Sequence, residues 1–119
     1  MAASETNEFS TCQMYRRDAH LFETFVGDYA SIIELAVREA VSGTDIHVFA
    51  RVRRLARKAG ESDAVPQDLI AVHLSALSKL VQTKPQALVK ACIRQSRLTL
   101  VKMIGELALY YRDRAAALN

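Results

Sequence analysis

The sequence has few of the residues from which β-rich, disulfide-linked or membrane-spanning proteins are built. It contains four glycines and two prolines in 119 residues, which is few for an all-β domain because such a domain needs a turn every few residues. Its two cysteines, Cys12 and Cys92, have no CxxC neighbour and predict neither a disulfide framework nor a zinc or redox site. No uncharged apolar run approaches the roughly 20 residues of a membrane span. These absences favour a helical globular chain without a membrane partner.

Length and composition fit one globular domain. The 119 residues are enough for a single core, and 50% of them are hydrophobic while 24% are charged. Residues 1–14 are polar and aperiodic and are predicted to form a disordered tail, which leaves residues 15–119 as one helical domain. The first residues, MAASETNEFSTC, are acidic and lack the apolar core of a secretory signal, so we expect a cytoplasmic protein.

Apolar residues recur at helical spacing over most of the chain and predict four helices and no strand. Gly43 and Gly60 are predicted to end the first two helices, Thr44 or Asp45 to cap the second, and Pro66 to occupy the first turn of the third. Because the loops are short, we expect neighbouring helices to pack antiparallel in a compact four-helix bundle. The predicted helices cover about residues 15–41, about 46–59, 66 to the break at 83–86, and about 86–116.

Each predicted helix has an apolar stripe that is expected to face the core. In the second helix this stripe lies opposite a row of basic side chains. The residues expected to face inward in the second, third and fourth helices are Phe49, Val52, Leu55, Ala56, Ala59, Leu69, Ile70, His73, Leu74, Leu77, Leu80, Leu88, Cys92, Leu100, Val101, Ile104, Leu107, Ala108 and Tyr111.

The sequence contains no recognisable catalytic or metal-binding pattern. Its histidines, His20, His47 and His73, fall on three different predicted helices, and there is no nucleophile turn of the GxSxG type. No glutamate is followed by a histidine three residues later, which argues against a di-metal carboxylate bundle, and there is no P-loop or GxGxxG. We therefore expect no enzyme, no catalytic residue, no cofactor and no metal. His73 is expected to be structural, with a ring nitrogen in a hydrogen bond.

The second predicted helix carries a basic face, which we define as Arg51, Arg53, Arg54, Arg57 and Lys58. Three interpretations stay open for it: a solvated helix surface, a docking surface for an acidic partner, and a nucleic-acid surface. DNA binding is disfavoured because the third helix would then be the recognition helix of a helix-turn-helix. Its first turns, PQDLIAVHL, contain an acid and neither Arg nor Lys.

The last predicted helix contains SRLTLVKMIGELALYYRDR, Ser96–Arg114. Adjacent helical residues point about 100° apart, so one of Tyr110 and Tyr111 is expected to face outward. A tyrosine pair beside Arg112 and Arg114 suits a protein interface, where aromatic residues and arginine are enriched. The alternative, which stays open, is a tyrosine at the rim of the core with its hydroxyl in water. Four amphipathic helices in so short a chain leave an apolar strip uncovered, and a symmetric dimer is the usual way to bury it.

Two stretches together resemble a known family. VPQDLIAVHLSALSKL, Val65–Leu80, resembles a segment of the N-terminal domain of the phosphatase RsbU and of the C-terminal domain of the clock protein KaiA, in which a proline opens a helix that leads to a histidine at the position of His73. Ser96–Arg114 resembles the long last helix of the same domains, with RLTL similar to the KaiA version and MIG with a later tyrosine similar to the RsbU version. A departure is Glu106, where the KaiA-like helix usually carries a histidine.

The resemblance implies a right-handed four-helix bundle that forms a homodimer and regulates other proteins without chemistry of its own. The RsbU domain recruits the kinase-like activator RsbT, and the KaiA domain binds the C-terminal segment of the clock ATPase KaiC. We therefore expect a non-enzymatic docking module for a kinase-like or ATPase partner in bacterial stress-response or clock-like signalling. The alternative is a small nucleic-acid-binding protein that uses the basic face.

The family pattern and the expected exposure together select candidate site residues. The basic residues are expected to steer an acidic partner electrostatically. The expected partner-binding residues are Arg97, Met103, Glu106, Tyr110 and Tyr111, with Arg51, Arg54 and Lys58 for steering, and the expected structural or dimer residues are His73, Leu100, Ile104 and Leu107.

Overall fold

The structure is a computed structural model that describes residues 12–44 and 46–118, except for the side chain of residue 46. These residues contain five helices and no strand: α1 (Gln13–Arg17), α2 (Ala19–Ser42), α3 (Ile46–Glu61), α4 (Pro66–Thr83) and α5 (Gln86–Leu118). The predicted all-α class is confirmed, whereas the predicted number of helices differs because the first predicted helix is divided in two. None of the described helices is both long enough and apolar enough to cross a membrane.

Asp18 divides the first predicted helix into α1 and α2. Its backbone is extended, with φ −157° and ψ 95°, and its side chain accepts a hydrogen bond from the backbone N–H of Leu21 at 3.0 Å. A capping aspartate supplies an acceptor to the first turn of a helix, whose N–H groups have no partner within the helix. α1 is therefore a separate short helix, which packs against α2 and α4.

The N-terminal end of the described chain is packed. Cys12 and Met14 are buried, and the carboxylate of Asp68 in α4 accepts hydrogen bonds from the Cys12 thiol at 3.4 Å and the Met14 backbone N–H at 3.2 Å. The tail predicted over residues 1–14 is therefore wrong for residues 12–14, which these buried contacts hold in place. The remainder of that prediction, residues 1–11, lies outside the described residues.

α2 and α5 form the centre of the molecule. α2 packs against α3, α4 and α5, and α5 packs against α2, α3 and α4. Within the described residues α3 and α4 make no backbone contact with each other, although only residues 62–65 join them. They lie instead on opposite sides of the central pair, which departs from the expected packing of consecutive helices. The molecule is flat, with principal extents of 49 × 43 × 18 Å.

At the junction between α2 and α3, Glu39 of α2 accepts hydrogen bonds from residues on both sides of the turn. α2 ends at Gly43, whose φ of 81° lies in the left-handed region, and the Thr44 N–H donates to the Glu39 carbonyl oxygen at 3.1 Å. The N-terminus of α3 is capped from α2, because the Glu39 carboxylate accepts a hydrogen bond from the Val48 N–H at 3.2 Å. The predicted capping by Asp45 lies outside the described residues.

The end of α3 also differs from the prediction. The helix continues through Gly60 to Glu61, and Asp63 takes the left-handed conformation with φ 61°. The Ala64 N–H donates to the Ala59 carbonyl oxygen, and the Asp63 N–H donates to that of Gly60, which is the Schellman pattern of a helix C-terminus. Gly60 therefore does not end the helix.

The core uses one side of each long helix, and this is not always the predicted side. α4 and α5 carry apolar residues on two sides, so helical spacing alone does not decide which side meets α2. The core residues of α3, α4 and α5 are Val48, Val52, Leu55, Ala56, Ala59, Leu69, Val72, Ala76, Leu80, Cys92, Met103 and Leu107. The residues that were expected to face inward but are exposed are Phe49, Ile70, Leu74, Leu88, Val101 and Ala108.

Candidate functional site

The basic face lies on the solvent side of α3, where all five of its members are exposed. The Nε of Arg53 lies 3.4 Å from the Oε1 of Glu106 on α5, and the Arg53 guanidinium lies 5.7 Å from the centre of the Phe49 ring. Among the described residues, the other four members of the basic face form no ion pair. A cluster of uncompensated cations raises the local concentration of anions and attracts acidic partners.

Three arginines of this face form one wall of a cleft between α3 and α5, which we call the α3–α5 cleft. Its volume is about 780 Å³. The cleft is lined by Ala50, Arg53, Arg54, Arg57 and Glu61 of α3 and by Glu106, Leu109, Tyr110, Asp113 and Arg114 of α5. Its walls are therefore charged, and its apolar surface comes from an alanine, a leucine and a tyrosine.

Most charges on the α5 side of the cleft are already paired. Glu106 binds Arg53, Asp113 lies 3.3 Å from the Nη2 of Arg112, and Arg114 lies 3.6 Å from Asp63. The cations of the cleft that keep no ion pair within the described chain are Arg54 and Arg57 of α3.

A smaller cleft of about 190 Å³ lies on the other side of α3, against α2. Arg51, Arg54 and Lys58 line it together with Asp28 of α2. The three residues predicted to steer an acidic partner are therefore close together, and Arg54 belongs to both clefts.

Tyr110 and Tyr111 anchor the C-terminal half of α5, and neither is fully exposed. The Tyr110 ring lies directly against the α-carbon of Gly60, and the two tyrosine rings meet edge to face with centroids 5.5 Å apart. The Tyr111 hydroxyl donates to the Ala64 carbonyl oxygen at 2.5 Å, and burial together with the nearby Asp63 carboxylate raises its pKa. Of the two, Tyr110 lines the open α3–α5 cleft, whereas Tyr111 is tied to the backbone at Ala64.

The other residues of α5 that were predicted to bind a partner or to form the dimer differ in their exposure. Arg97 is exposed, so it remains available to a partner. Met103 is fully buried, which contradicts its predicted role in partner binding, because it faces the core. Leu107 is also buried, whereas Leu100 and Ile104 are half-buried against the core.

His73 belongs to a buried network that joins three helices. Its Nδ1 lies 2.7 Å from the hydroxyl oxygen of Tyr29 on α2, and that hydroxyl lies 3.2 Å from the Ser96 carbonyl oxygen on α5. Both contacts are satisfied together when the His73 Nδ1–H donates to Tyr29 and Tyr29 donates to Ser96. Burial lowers the pKa of His73 and raises that of Tyr29, so both side chains stay uncharged at neutral pH. Because it is buried within the monomer, His73 cannot contact a second copy directly.

A histidine–glutamate pair lies at the junction of α2 and α3. The Nδ1 of His47 lies 2.6 Å from the Oε2 of Glu39, and the His47 side chain is 74% exposed. Burial would raise the pKa of Glu39, but hydrogen bonds from His47 and from the Val48 N–H outweigh this effect and lower it. No hydroxyl or thiol of the described residues is hydrogen-bonded to His47, so this pair lacks an activated nucleophile and serves as a helix cap.

α4 has a second apolar side that faces away from the core. Ile70, Leu74, Leu77 and Val81, which we call the outer stripe, follow one another at intervals of four, three and four residues. Leu74 is 54% exposed, Ile70 and Val81 are each 42% exposed, and Leu77 is half-buried. This spacing is that of alternate d and a positions in a coiled coil, where each side chain inserts between those of a partner helix.

Asp68 is a structural residue that the sequence analysis did not identify. It is fully buried, and besides the two bonds from the N-terminal residues it accepts a hydrogen bond from the Val65 N–H at 2.9 Å. Burial raises the pKa of the Cys12 thiol, which therefore keeps the proton that it donates to Asp68. Asp68 is the third residue of α4, two residues after Pro66, and an acid at this position can reach back to the N–H of the residue before the helix; this position is the signal that could have identified it.

In the described part of the chain there is no group of three or more His, Cys, Asp or Glu side chains that could hold a metal ion. Comparison of the chain with protein-family models, with curated proteins and with solved structures found no match. What the molecule binds therefore has to be inferred from its surfaces.

Proposed function

We propose that the chain is a non-catalytic interaction module that forms a homodimer through α4 and docks a signalling protein. This is the kind of function implied by the resemblance to the RsbU and KaiA helical domains, whose fold is a right-handed four-helix bundle. The observation that carries the proposal is the outer stripe, an apolar seam with coiled-coil spacing of which Ile70, Leu74 and Val81 are exposed.

The charge distribution supports a second copy of the chain as the partner of the outer stripe. In a two-fold symmetric interface a patch meets its own copy, so like charges near the axis would repel each other. The outer stripe itself carries no charge: Asp68 and His73 are buried, and the exposed Lys79 lies on the opposite side of α4, 3.1 Å from Glu23 of α2. The five exposed cations of α3 would repel their own copies across a two-fold axis, so the outer stripe of α4 suits self-association better than α3 does.

The basic face supports an acidic docking partner. A kinase-like or ATPase protein is the partner class implied by the resemblance, and positively charged residues on α3 would accelerate its association. Nucleic acid would use the same face. Its phosphate backbone would, however, meet the carboxylates of Glu61 and Asp113 at the α3–α5 cleft, and this disfavours it.

Replacement of Leu74 by glutamate tests the dimer. We expect the unmodified chain to sediment as a dimer in analytical ultracentrifugation and Leu74→Glu to sediment as a monomer. A charged side chain in the centre of the seam would be buried without a partner and would face the same charge on the other copy. Burying an unpaired charge costs several kcal/mol, so the dissociation constant should rise by at least about a hundredfold.

Gln82→Glu is the matched control, because Gln82 is exposed near the end of the same helix and points about 100° away from Val81, its neighbour in the outer stripe. It should leave the dimer unchanged, and circular dichroism should show the same helix content for all three proteins. A chain that sediments as a monomer at all concentrations, or an equal loss of dimer in both variants, would contradict the proposed dimer.

A further inference from the structure

The α3–α5 cleft combines unpaired arginines with apolar surface, and we propose that it binds an acidic amphipathic helix of a partner protein. The proposal rests on the docking function proposed above and names the chemistry of the segment that is bound. It concerns a surface that is separate from the outer stripe of α4, because α3 and α4 lie on opposite sides of α2 and α5.

The charges of the cleft select an anionic ligand. Glu106 and Asp113 are already paired with arginines. Arg54 and Arg57 have no ion pair in the described chain, and the one unpaired carboxylate of the cleft, Glu61, offsets only one of these two charges. A guanidinium binds a carboxylate through two parallel hydrogen bonds, and this geometry is stronger and more specific than a point-charge contact. Two unpaired guanidinium groups three residues apart on α3 lie on one face of the helix, so they fit two carboxylates one turn apart on a ligand helix.

The apolar surface of the cleft selects a helix with an apolar side. Leu109 is 41% exposed, and it lines the cleft together with Ala50 and the Tyr110 ring. Between Ala50 and Glu61, α3 runs for about 16 Å at 1.5 Å per residue, which is the length of three helical turns. A short amphipathic helix that lies in such a groove places its apolar side on the floor and its charged flank against the wall.

The same cleft fits a nucleic acid less well. Glu61 and Asp113 lie at the cleft beside the arginines, so the cations do not form the unbroken row that a continuous phosphate backbone requires. Carboxylates on a helix are discrete charges, so a ligand helix can present them to Arg54 and Arg57 and an uncharged side chain to Glu61, which a continuous phosphate backbone cannot do.

Fluorescence anisotropy with a synthetic peptide tests this proposal on the full chain. The probe is a labelled peptide of about 14 residues, or four helical turns, with leucines on one face and glutamates on both flanks. The comparison probes are a peptide of identical composition without an apolar face and an oligonucleotide of similar negative charge, both single-stranded and duplex. We expect the amphipathic peptide to bind more tightly than the reordered peptide and both oligonucleotides.

The double variant Arg54→Glu/Arg57→Glu should weaken peptide binding at least about tenfold, because it replaces both unpaired guanidinium groups with like charges. Lys90→Glu/Arg94→Glu changes the net charge equally at two exposed positions of α5 outside the cleft, and it should change the affinity less than about threefold. Circular dichroism should show that both variants keep their helix content.

Three results would overturn the proposal: no peptide binding at concentrations up to about 1 mM, an equal loss of affinity in both double variants, or tighter binding of an oligonucleotide that depends on Arg54 and Arg57. The oligomeric state is measured by sedimentation of the same samples. A chain that dimerises but does not bind the peptide refutes the cleft proposal alone. A chain that binds the peptide as a monomer refutes the proposed dimer alone.

Discussion

Tyr29 and His73 form a buried polar pair that connects three helices. They lie on α2 and α4, and the Tyr29 hydroxyl extends the connection to the backbone of α5 at Ser96. Buried polar groups stabilise a fold only when each has a partner, and removal of one partner leaves the other unsatisfied. The pair therefore holds three helices in a defined relation to one another.

Tyr29→Phe should lower the free energy of unfolding by about 1–3 kcal/mol, because it leaves the buried Nδ1 of His73 without its partner and removes the additional hydrogen bond to the Ser96 carbonyl oxygen within α5. Urea denaturation at fixed protein concentration measures this change as a lower midpoint with an unchanged slope. Tyr110→Phe is the matched control. The Tyr110 hydroxyl forms no hydrogen bond in the described structure, so this change should stay within about 0.5 kcal/mol. Equal effects of the two changes would contradict the role assigned to the network.

For single residues, the sequence predicts whether a side chain is buried better than it predicts which side chain is its hydrogen-bond partner. The apolar neighbours of His73 predict burial and a structural hydrogen bond, and both are observed. Its partner Tyr29 is 44 positions away, and no local pattern connects the two residues. Met103 shows the opposite failure: it was placed on a binding surface by family pattern, although its position opposite the exposed Val101 face puts it in the core.

α5 packs closely against α3 at Gly60, where the Tyr110 ring lies over the backbone. Only a residue without a side chain leaves room there for the Tyr110 ring, which in turn fixes the course of α5 past the end of α3. Tyr110 also lines the α3–α5 cleft. Its contact with Gly60 sets the distance between the two helices at this point and therefore the width of the cleft there.

Gly60→Ala should destabilise the fold by about 1–3 kcal/mol, because the added Cβ overlaps the Tyr110 ring and forces it to move. Thermal unfolding followed by circular dichroism measures the change. Gly27→Ala in α2 provides a control of opposite sign. A Cβ at Gly27 meets no atom within 4 Å, so alanine should stabilise the helix by about 0.5–1 kcal/mol. A gain in stability for both changes would show that Tyr110 does not pack against Gly60.

The helices themselves are largely predictable from the sequence, whereas the sides that they bury are not. Apolar spacing predicts the ends of α3, α4 and α5 to within a few residues. The break between α1 and α2 has a sequence signal too, because aspartate is a preferred residue just before a helix. In α4, however, Leu69, Val72, Ala76 and Leu80 form one apolar stripe and the outer stripe forms another. Both have helical spacing, so only the position of α2 and α5 decides which one enters the core.

For the molecule as a whole, the pKa shifts predict a loss of stability in acid. Burial holds the pKa of His73 below its ordinary value, so the unfolded chain takes up this proton first when the pH falls through about 6.5. Folding then becomes less favourable. The lowered pKa of Glu39 acts in the same direction at lower pH: its contribution is complete above the ordinary glutamate value and is lost as the pH falls through the lowered one.

Urea denaturation at pH 7.5 and 5.5 tests the histidine part of this prediction. The unmodified chain should be less stable at pH 5.5, by no more than about 1.4 kcal/mol per pH unit for one proton. In His73→Gln the decline should be smaller, although this variant starts from a lower stability at pH 7.5. His20 is exposed, and His20→Gln should keep the full decline. A decline of the same size in all three proteins would show that His73 is not its source.

The separation of α3 from α4 determines how the molecule could recognise an extended partner. A dimer joined through α4 carries two α3–α5 clefts, and neither is covered by the joint, because each lies beyond α2 and α5. A partner with two acidic helices on one chain could then occupy both clefts at once. The second helix would bind at an effective concentration set by its linker, which reaches about the millimolar range for short flexible linkers. Two weak sites would in this way bind such a partner with high overall affinity. A monomeric variant would bind it only with the affinity of one cleft, although the cleft itself would be unchanged.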